Sequence, residues 1–301
     1  MPDARMHADE IEIDAPLVRR LIATQFPRWA ELPVAEVRSA GTDNAMYRLG
    51  DDLAVRLPRQ PGAAHQVEKE QRWLPRLAPL LPLDVPVPLG RGVPGEGYPL
   101  PWSVFRWLEG ENVFDEPLAD PRHAAVELGR FVTALRRADA DGAPPSFRGG
   151  PLSSRDGDVR AALGELAADG TVDTEAAAEA WEAALRLPRW EGPPVWVHGD
   201  LLPGNLLARR GRLSAVIDFG GTGIGDPACD TMPAWTLLTA ETRKVFREAA
   251  DVDDATWGRG RGWALCFGLV ALPYYRVTHP ALAAVARRAI EEVLADHRGA
   301  A

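Results

Sequence analysis

The chain is poor in the features that tie a fold together or carry it to a special surface. Its two cysteines, Cys229 and Cys266, offer neither a disulfide framework nor a metal-ligand spacing, and read as small core residues. The longest apolar run, residues 264–275, is too short to span a bilayer and is cut by Gly268 and Pro273. Lysine is scarce beside arginine, and the net charge is −9. A nucleic-acid binder needs the opposite, a basic footprint that neutralises phosphates. No GxSxG turn presents a serine nucleophile and neither cysteine sits near a histidine, which sets aside the serine and cysteine hydrolases. Residues 1–14 carry acids and no apolar centre, so no secretory leader is expected and the expected compartment is the cytoplasm.

What is there suits an ordinary globular protein. With 301 residues, 46% of them hydrophobic, the chain can build one large or two small domains with real cores. The acidic balance would suit a cationic substrate, a slight push only.

Asp14 and Pro16 cap and start a helix with Leu17, Leu21, Ile22 and Phe26 at helical spacing. Residues 34–39, 45–49 and 53–57 read as strands of a small antiparallel sheet, with a turn at 41–44. In the third strand Arg56 projects opposite the face carrying Leu53, Val55 and Leu57. Residues 66–77 read as a helix bearing Glu70. The proline-punctuated stretch 75–101 shows no long periodic element, and residues 102–108 read as a further strand. Asp120 and Pro121 then cap a long helix. Residues 140–158 read as a Gly, Pro and Asp-rich loop, followed by helices at 159–168 and 174–187. Asp226 and Pro227 cap a helix running to Trp235, and helices at 240–250, 255–277 and 280–297 complete the chain.

The chemistry concentrates in residues 195–220, VWVHGDLLPGNLLARRGRLSAVIDFG. A short strand, 195–197, delivers His198 and Asp200 to its end. Two strands, 206–209 and 213–219, joined at residues 210–212, would fold back as a hairpin and bring Asn205 close to Asp218. Taken singly, HGD is a capped turn, Asn205 a turn residue and Asp218 a hairpin end. Together, and in register, they match the catalytic and metal loops of kinases. There, one carboxylate orients the attacking hydroxyl, while an amide oxygen and a second carboxylate hold Mg²⁺ against the phosphates. His198 reads as a buttress of the loop.

On HGDLLPGN, IDFG and the following GTGIGDPACD, the chain resembles the aminoglycoside phosphotransferase family, small-molecule kinases with a protein-kinase-like fold. The loop has the HGD form, not HRD, and no APE-type activation segment follows. The resemblance implies a two-lobed α+β fold, with a small antiparallel sheet lobe over residues 1–109 that binds nucleotide and a mostly helical catalytic and substrate-binding lobe over 110–301. It implies Asp200 as the catalytic residue, Asn205 and Asp218 as Mg²⁺ ligands, and ATP or GTP as phosphoryl donor. The first turn, with Ser39, Gly41 and Thr42, would cover the nucleotide phosphates, although a lone glycine is also what a plain hairpin turn contains. Arg56 stands where the family places a phosphate-binding lysine, and Glu70 where a helix glutamate holds it; a surface arginine and a solvated helix face are the ordinary alternatives. Phe105 and Trp107 would lie by the purine, or else be sheet core. The implied acceptor is a small-molecule hydroxyl, an antibiotic such as an aminoglycoside or macrolide. A choline-, homoserine- or sugar-like metabolite is the alternative, as is a catalytically silent binding domain. Neither a nucleic acid nor a membrane is an expected partner, and the oligomeric state stays open.

Overall fold

The computed structural model describes residues 11–37 and 44–300. The chain forms two compact units, Met1–Pro79 with Asp84–Glu109, and Leu80–Leu83 with Gly110–Ala301.

The first unit opens with α1 (Ala15–Gln25), whose N-cap Asp14 accepts from the Leu17 N–H at 2.8 Å. Such a cap stabilises a helix by about 1 kcal/mol. It continues through β1 (Val34–Val37), β2 (Asn44–Leu49), β3 (Leu53–Pro58), α2 (Ala64–Leu77), β4 (Pro88–Gly92) and β5 (Trp102–Arg106). The strands form one antiparallel sheet in the order β1-β2-β3-β5-β4. The two-residue period of β3 divides its side chains between the faces. Leu53, Val55 and Leu57 join Leu17, Leu21 and Ile22 of α1 and Trp102 and Val104 of β5 in one core. Each such burial contributes about 1.5–3 kcal/mol. Arg56 goes to the other face, where it meets α2.

Strand β4 lies inside the stretch where the sequence suggested no long element. Its sequence, PLGRG, has no apolar alternation to betray it. As an edge strand with a register shift between Pro88 and Gly90, it tolerates the proline that a central strand would reject.

The second unit contains β6 (Glu111–Asn112), α3 (Pro121–Arg136), α4 (Asp156–Asp169), α5 (Thr174–Leu185), β7 (Val195–Val197), β8 (Leu206–Arg209), β9 (Arg212–Val216), β10 (Gly223–Gly225), α6 (Pro233–Thr236), α7 (Ala240–Ala250), α8 (Asp254–Tyr275) and α9 (Pro280–Ala300). Asp120, Asp173, Thr239 and Asp253 cap α3, α5, α7 and α8. Helix α8 is buried over most of its length; its second half is apolar on every side, and the buried Arg259 in its first half is paired with Asp226. Around it Trp181, Trp235, Phe246 and Ile290 are buried. No helix among the described residues is long and apolar enough to cross a membrane.

Two expected elements are differently built. The helix expected from Asp226 to Trp235 is a 3₁₀ turn, Pro227–Thr231, followed by the short α6. Pro233 has no N–H to continue the first piece, and its fixed φ suits it to start the second. Strand β9, expected to reach Phe219, ends at Val216 because Asp218 turns the chain with φ 59° and ψ 71° into the 3₁₀ turn Phe219–Gly221.

Candidate active site

The site of the second unit grows from the end of β7, which pairs antiparallel with β10. The next residue, His198, is buried and bonded on both ring nitrogens: Nε2 lies 3.0 Å from the Ile217 carbonyl, and Nδ1 accepts the Asp200 N–H at 3.2 Å. Those partners assign the ring proton to Nε2. The Phe219 ring meets the imidazole edge-on, centroids 4.6 Å apart. His198 thus ties the loop carrying Asp200 to the end of the hairpin and has both ring nitrogens engaged within the protein.

Gly199 has φ 79°, and a Cβ there would stand 2.6 Å from the Ser146 hydroxyl and 2.9 Å from the Gly221 carbonyl. Both the backbone conformation and the close approach demand glycine, which accounts for the HGD form of the loop. The N–H groups of His198 and Gly199 donate to the two carboxylate oxygens of Asp230, at 2.6 and 2.9 Å. Asp230 is buried, and desolvation pushes its carboxyl above the usual carboxylate range, against the pull of these donors and of the nearby His198.

Asp200 is held from two sides. Its Oδ1 accepts from Arg148 Nη1, which also donates to the Gly199 carbonyl at 2.9 Å. Its Oδ2 accepts from the Asn205 amide nitrogen at 3.0 Å, and the same nitrogen donates to the Asp200 carbonyl at 2.8 Å. With Nδ2 committed twice, the planar amide turns its oxygen away from Asp200.

The β8–β9 hairpin then returns the chain. Arg210 and Gly211, with φ 55° and 75°, form the left-handed pair that a two-residue hairpin favours. At its base the Ile217 N–H donates to the Asn205 carbonyl at 2.9 Å, placing Asp218 one residue beyond a fixed contact with Asn205. Asp218 Oδ1 accepts from Gly220 N at 3.3 Å.

Two oxygen donors, one amide and one carboxylate, fit a hard cation that takes the rest of its shell from phosphate and water, as Mg²⁺ does. Among the described residues no group of three or more His, Cys, Asp or Glu side chains could hold a metal by itself.

In the first unit, Arg56 Nη1 donates to Glu70 at 2.7 Å and Nη2 to Gln66 at 3.2 Å. With the Asn44 amide oriented to satisfy both its groups, its oxygen accepts from Arg56 Nε at 3.1 Å and Nη2 at 3.0 Å. The Arg56 side chain is 11% exposed and that of Glu70 2%. Neither is a solvated surface group. Phe105 is buried in β5, paired with Ala54 and Pro88. Trp107 lies under the Arg48 guanidinium, 4.3 Å from its ring centroid. The N–H groups of Arg106 and Trp107 donate to the Val87 and Asp52 carbonyls. Ser39, Gly41 and Thr42 lie outside the described residues.

The structure therefore gathers His198, Asp200, Asn205 and Asp218 in one unit and Arg56 with Glu70 in the other. Sequence reasoning missed Arg148, which lies in a segment that reads only as Gly and Pro-rich loop, and the part played by Asp230. Asp226 caps the 3₁₀ turn through the Ala228 N–H, and its two oxygens accept from Arg259 at 2.7 and 3.0 Å.

The profile of the phosphotransferase enzyme family matches residues 34–263. No curated protein matches the chain. Among solved structures, the GDP complex of a mutant aminoglycoside 2'-phosphotransferase-IIIa is 21% identical with a TM-score of 0.73, over 95% of this chain and 99% of that one. A GDP and kanamycin complex of a similar phosphotransferase gives 21% and 0.70, over 93% and 98%. The macrolide 2'-phosphotransferase of Brachybacterium faecium gives 23% and 0.61, over 92% and 98%. At such identities the likeness speaks for the protein-kinase-like fold alone.

Proposed function

The chain belongs to the phosphotransferase enzyme family, and from that premise we propose that it transfers the γ-phosphoryl group of ATP or GTP to a hydroxyl of a small molecule. The observation that carries this reading is the double hold of the Asn205 amide nitrogen on Asp200, which turns the amide oxygen outward on the same hairpin base as Asp218.

Asp200 would accept a hydrogen bond from the attacking hydroxyl and take its proton as the new P–O bond forms and the bond from the γ-phosphorus to the departing nucleoside diphosphate breaks, a contribution typically of about 10²–10⁴-fold. Asn205 and Asp218 would hold Mg²⁺, which when bound neutralises charge on the transferring phosphates. Arg56, fixed by Glu70, Gln66 and Asn44, would bring its permanent positive charge toward phosphate oxygens. With the N–H groups of Arg106 and Trp107 already used, contacts to the purine would come from carbonyls of that segment and from the exposed part of the Trp107 ring. Similar structures carry GDP or ADP, which supports a purine nucleotide without choosing one.

Aminoglycosides and macrolides, after which the similar structures are named, head the list of acceptors to try. Choline-, homoserine- and sugar-like metabolites follow. The test is acceptor-dependent release of nucleoside diphosphate across that panel, with Asp200→Asn as control. Release that is independent of Asp200, or nucleotide binding without transfer to any acceptor, would overturn the proposal in favour of a silent binding domain.

A further inference from the structure

The acceptor's charge can be read from what stands on Asp200. Resting on the assignment of Asp200 as the residue that receives the acceptor hydroxyl, we infer that Arg148 is a specificity-determining residue: it keeps cationic nitrogens away from the reacting hydroxyl, so the acceptor carries no ammonium group beside that hydroxyl.

A bare carboxylate at the point of attack would draw ammonium groups as readily as hydroxyls, because opposite charges within about 4 Å attract by several kcal/mol near a protein surface. Arg148 occupies that attraction. Its Nη1 bonds both Asp200 Oδ1 and the Gly199 carbonyl, and its side chain is only 20% exposed. The guanidinium is permanently charged.

Its position is built rather than incidental. The segment carrying it is laced to the chain beyond Asp218: the N–H groups of Ser146, Phe147 and Ile224 donate to the carbonyls of Ile224, Gly221 and Pro144 at 3.0, 3.1 and 2.8 Å. The Ser146 hydroxyl donates to the Gly221 carbonyl at 2.9 Å, and the Asp226 N–H to the Gly149 carbonyl at 3.0 Å. Beside Arg148 the Phe147 ring is 63% exposed, with the Arg148 and Arg155 guanidinium carbons 5.2 and 5.0 Å from its centroid. The surface next to the base is therefore an aromatic face edged by two arginines. With Arg148 paired to Asp200 and Arg155 to Asp158, it suits an uncharged, partly apolar frame and offers a polyamine no free carboxylate. The net charge of −9 describes the chain as a whole; here each arginine is matched by a carboxylate, so no bare negative charge faces an acceptor.

The experiment measures binding and turnover separately. Kanamycin serves as a polycationic probe in calorimetric titrations of the nucleotide-loaded protein, wild type and Arg148→Gln, Arg148→Lys and the double variant Arg148→Gln/Asp200→Asn. The glutamine keeps a donor for the Gly199 carbonyl and removes the charge. Arg148→Gln should bind kanamycin at least about tenfold more tightly than wild type, as an uncovered carboxylate requires. Arg148→Lys should bind it as wild type does, and the double variant should lose the gain, which a merely structural disturbance would not do. An unchanged Kd in Arg148→Gln, or a gain that persists without the Asp200 charge, overturns the inference. Should Arg148→Gln not fold, wild-type kcat/KM decides: higher values for acceptors with an amino group next to the reacting hydroxyl than for those without would overturn it. Absence of any Asp200-dependent transfer would instead bring down the phosphotransferase reading on which the inference rests.

Discussion

Asp230 receives the backbone N–H groups of His198 and Gly199 on its two oxygens, at 2.6 and 2.9 Å, from 32 and 31 residues further along the chain. A buried carboxylate downstream thus fixes the backbone that presents Asp200. An amide cannot replace it, since Asn offers one acceptor and turns its NH₂ toward the second donor. Asp230→Asn should lower unfolding stability by about 1–3 kcal/mol, the cost of an unsatisfied buried donor, and should lower turnover with it. Urea unfolding followed by fluorescence, together with steady-state kinetics, checks both.

Asp200→Asn should reduce turnover by about 10²–10⁴-fold and leave nucleotide affinity close to wild type, because its charge is needed at the acceptor hydroxyl. Titration with a fluorescent nucleotide separates the two. Unchanged kcat with any accepted substrate would remove Asp200 from the mechanism.

Asn205→Ala and Asp218→Ala each take one oxygen from the proposed cation site. Both variants should require a higher Mg²⁺ concentration for half-maximal activity, with Asp218→Ala affected more because it also removes a charge. Activity measured across a Mg²⁺ titration tests this, and wild-type curves in both variants would move the metal elsewhere.

Arg56 and Glu70 should respond differently to the two replacements of the arginine. Arg56→Ala should cost on the order of 2–4 kcal/mol in kcat/KM for the nucleotide. It should also destabilise the fold by about 3–5 kcal/mol, since a buried Glu70 is left without that partner. Arg56→Lys should keep part of both, retaining the charge but losing the fork that spans Asn44, Gln66 and Glu70. If the alanine variant keeps wild-type kcat/KM, Arg59 becomes the next candidate.

Stability should fall on the alkaline side. The Tyr47 hydroxyl donates to the Ile13 carbonyl, and burial pushes its pKa up to about 12; burial also pushes Tyr98 up, and its hydroxyl donates to the Pro58 carbonyl. Above pH 10 the unfolded chain releases these protons while the folded chain holds them, so unfolding gains and stability drops as pH rises from about 10 toward 12. Tyr47→Phe with Tyr98→Phe should flatten that fall in pH-dependent thermal melts. A slope identical to wild type would place the alkaline transition in other groups.

The candidate site was legible where function needs particular residue types at a fixed chain distance. His198, Asp200, Asn205 and Asp218 sit on one short strand, loop and hairpin, so their spacing carried their geometry. The alternation of Leu53, Val55 and Leu57 likewise separated Arg56 from the core. What stayed hidden depends on contacts between distant segments. Arg148 lies 52 residues before Asp200 in a loop with no periodicity, and the close approach of two segments there, which Gly149, Gly223 and Gly225 permit, carries no pattern along the chain. Strand β4 carries no apolar pattern, and the cap at Asp226 marks where a helix starts but not the break that Pro233 makes seven residues on.

The hairpin that joins Asn205 to Asp218 is anchored at both ends. At its base the Ile217 N–H meets the Asn205 carbonyl; at its tip the Gly211 carbonyl accepts from the Ala119 N–H, and the Gly211 N–H donates to Glu116. A Cβ on Gly211 would come within 2.7 Å of the Ala119 side chain. Turn tips are ordinarily where a protein gains or loses residues at little cost, but this one has no slack to give. An insertion or deletion at this tip would break those contacts, so the length of the hairpin, and with it the chain distance between Asn205 and Asp218, is held fixed.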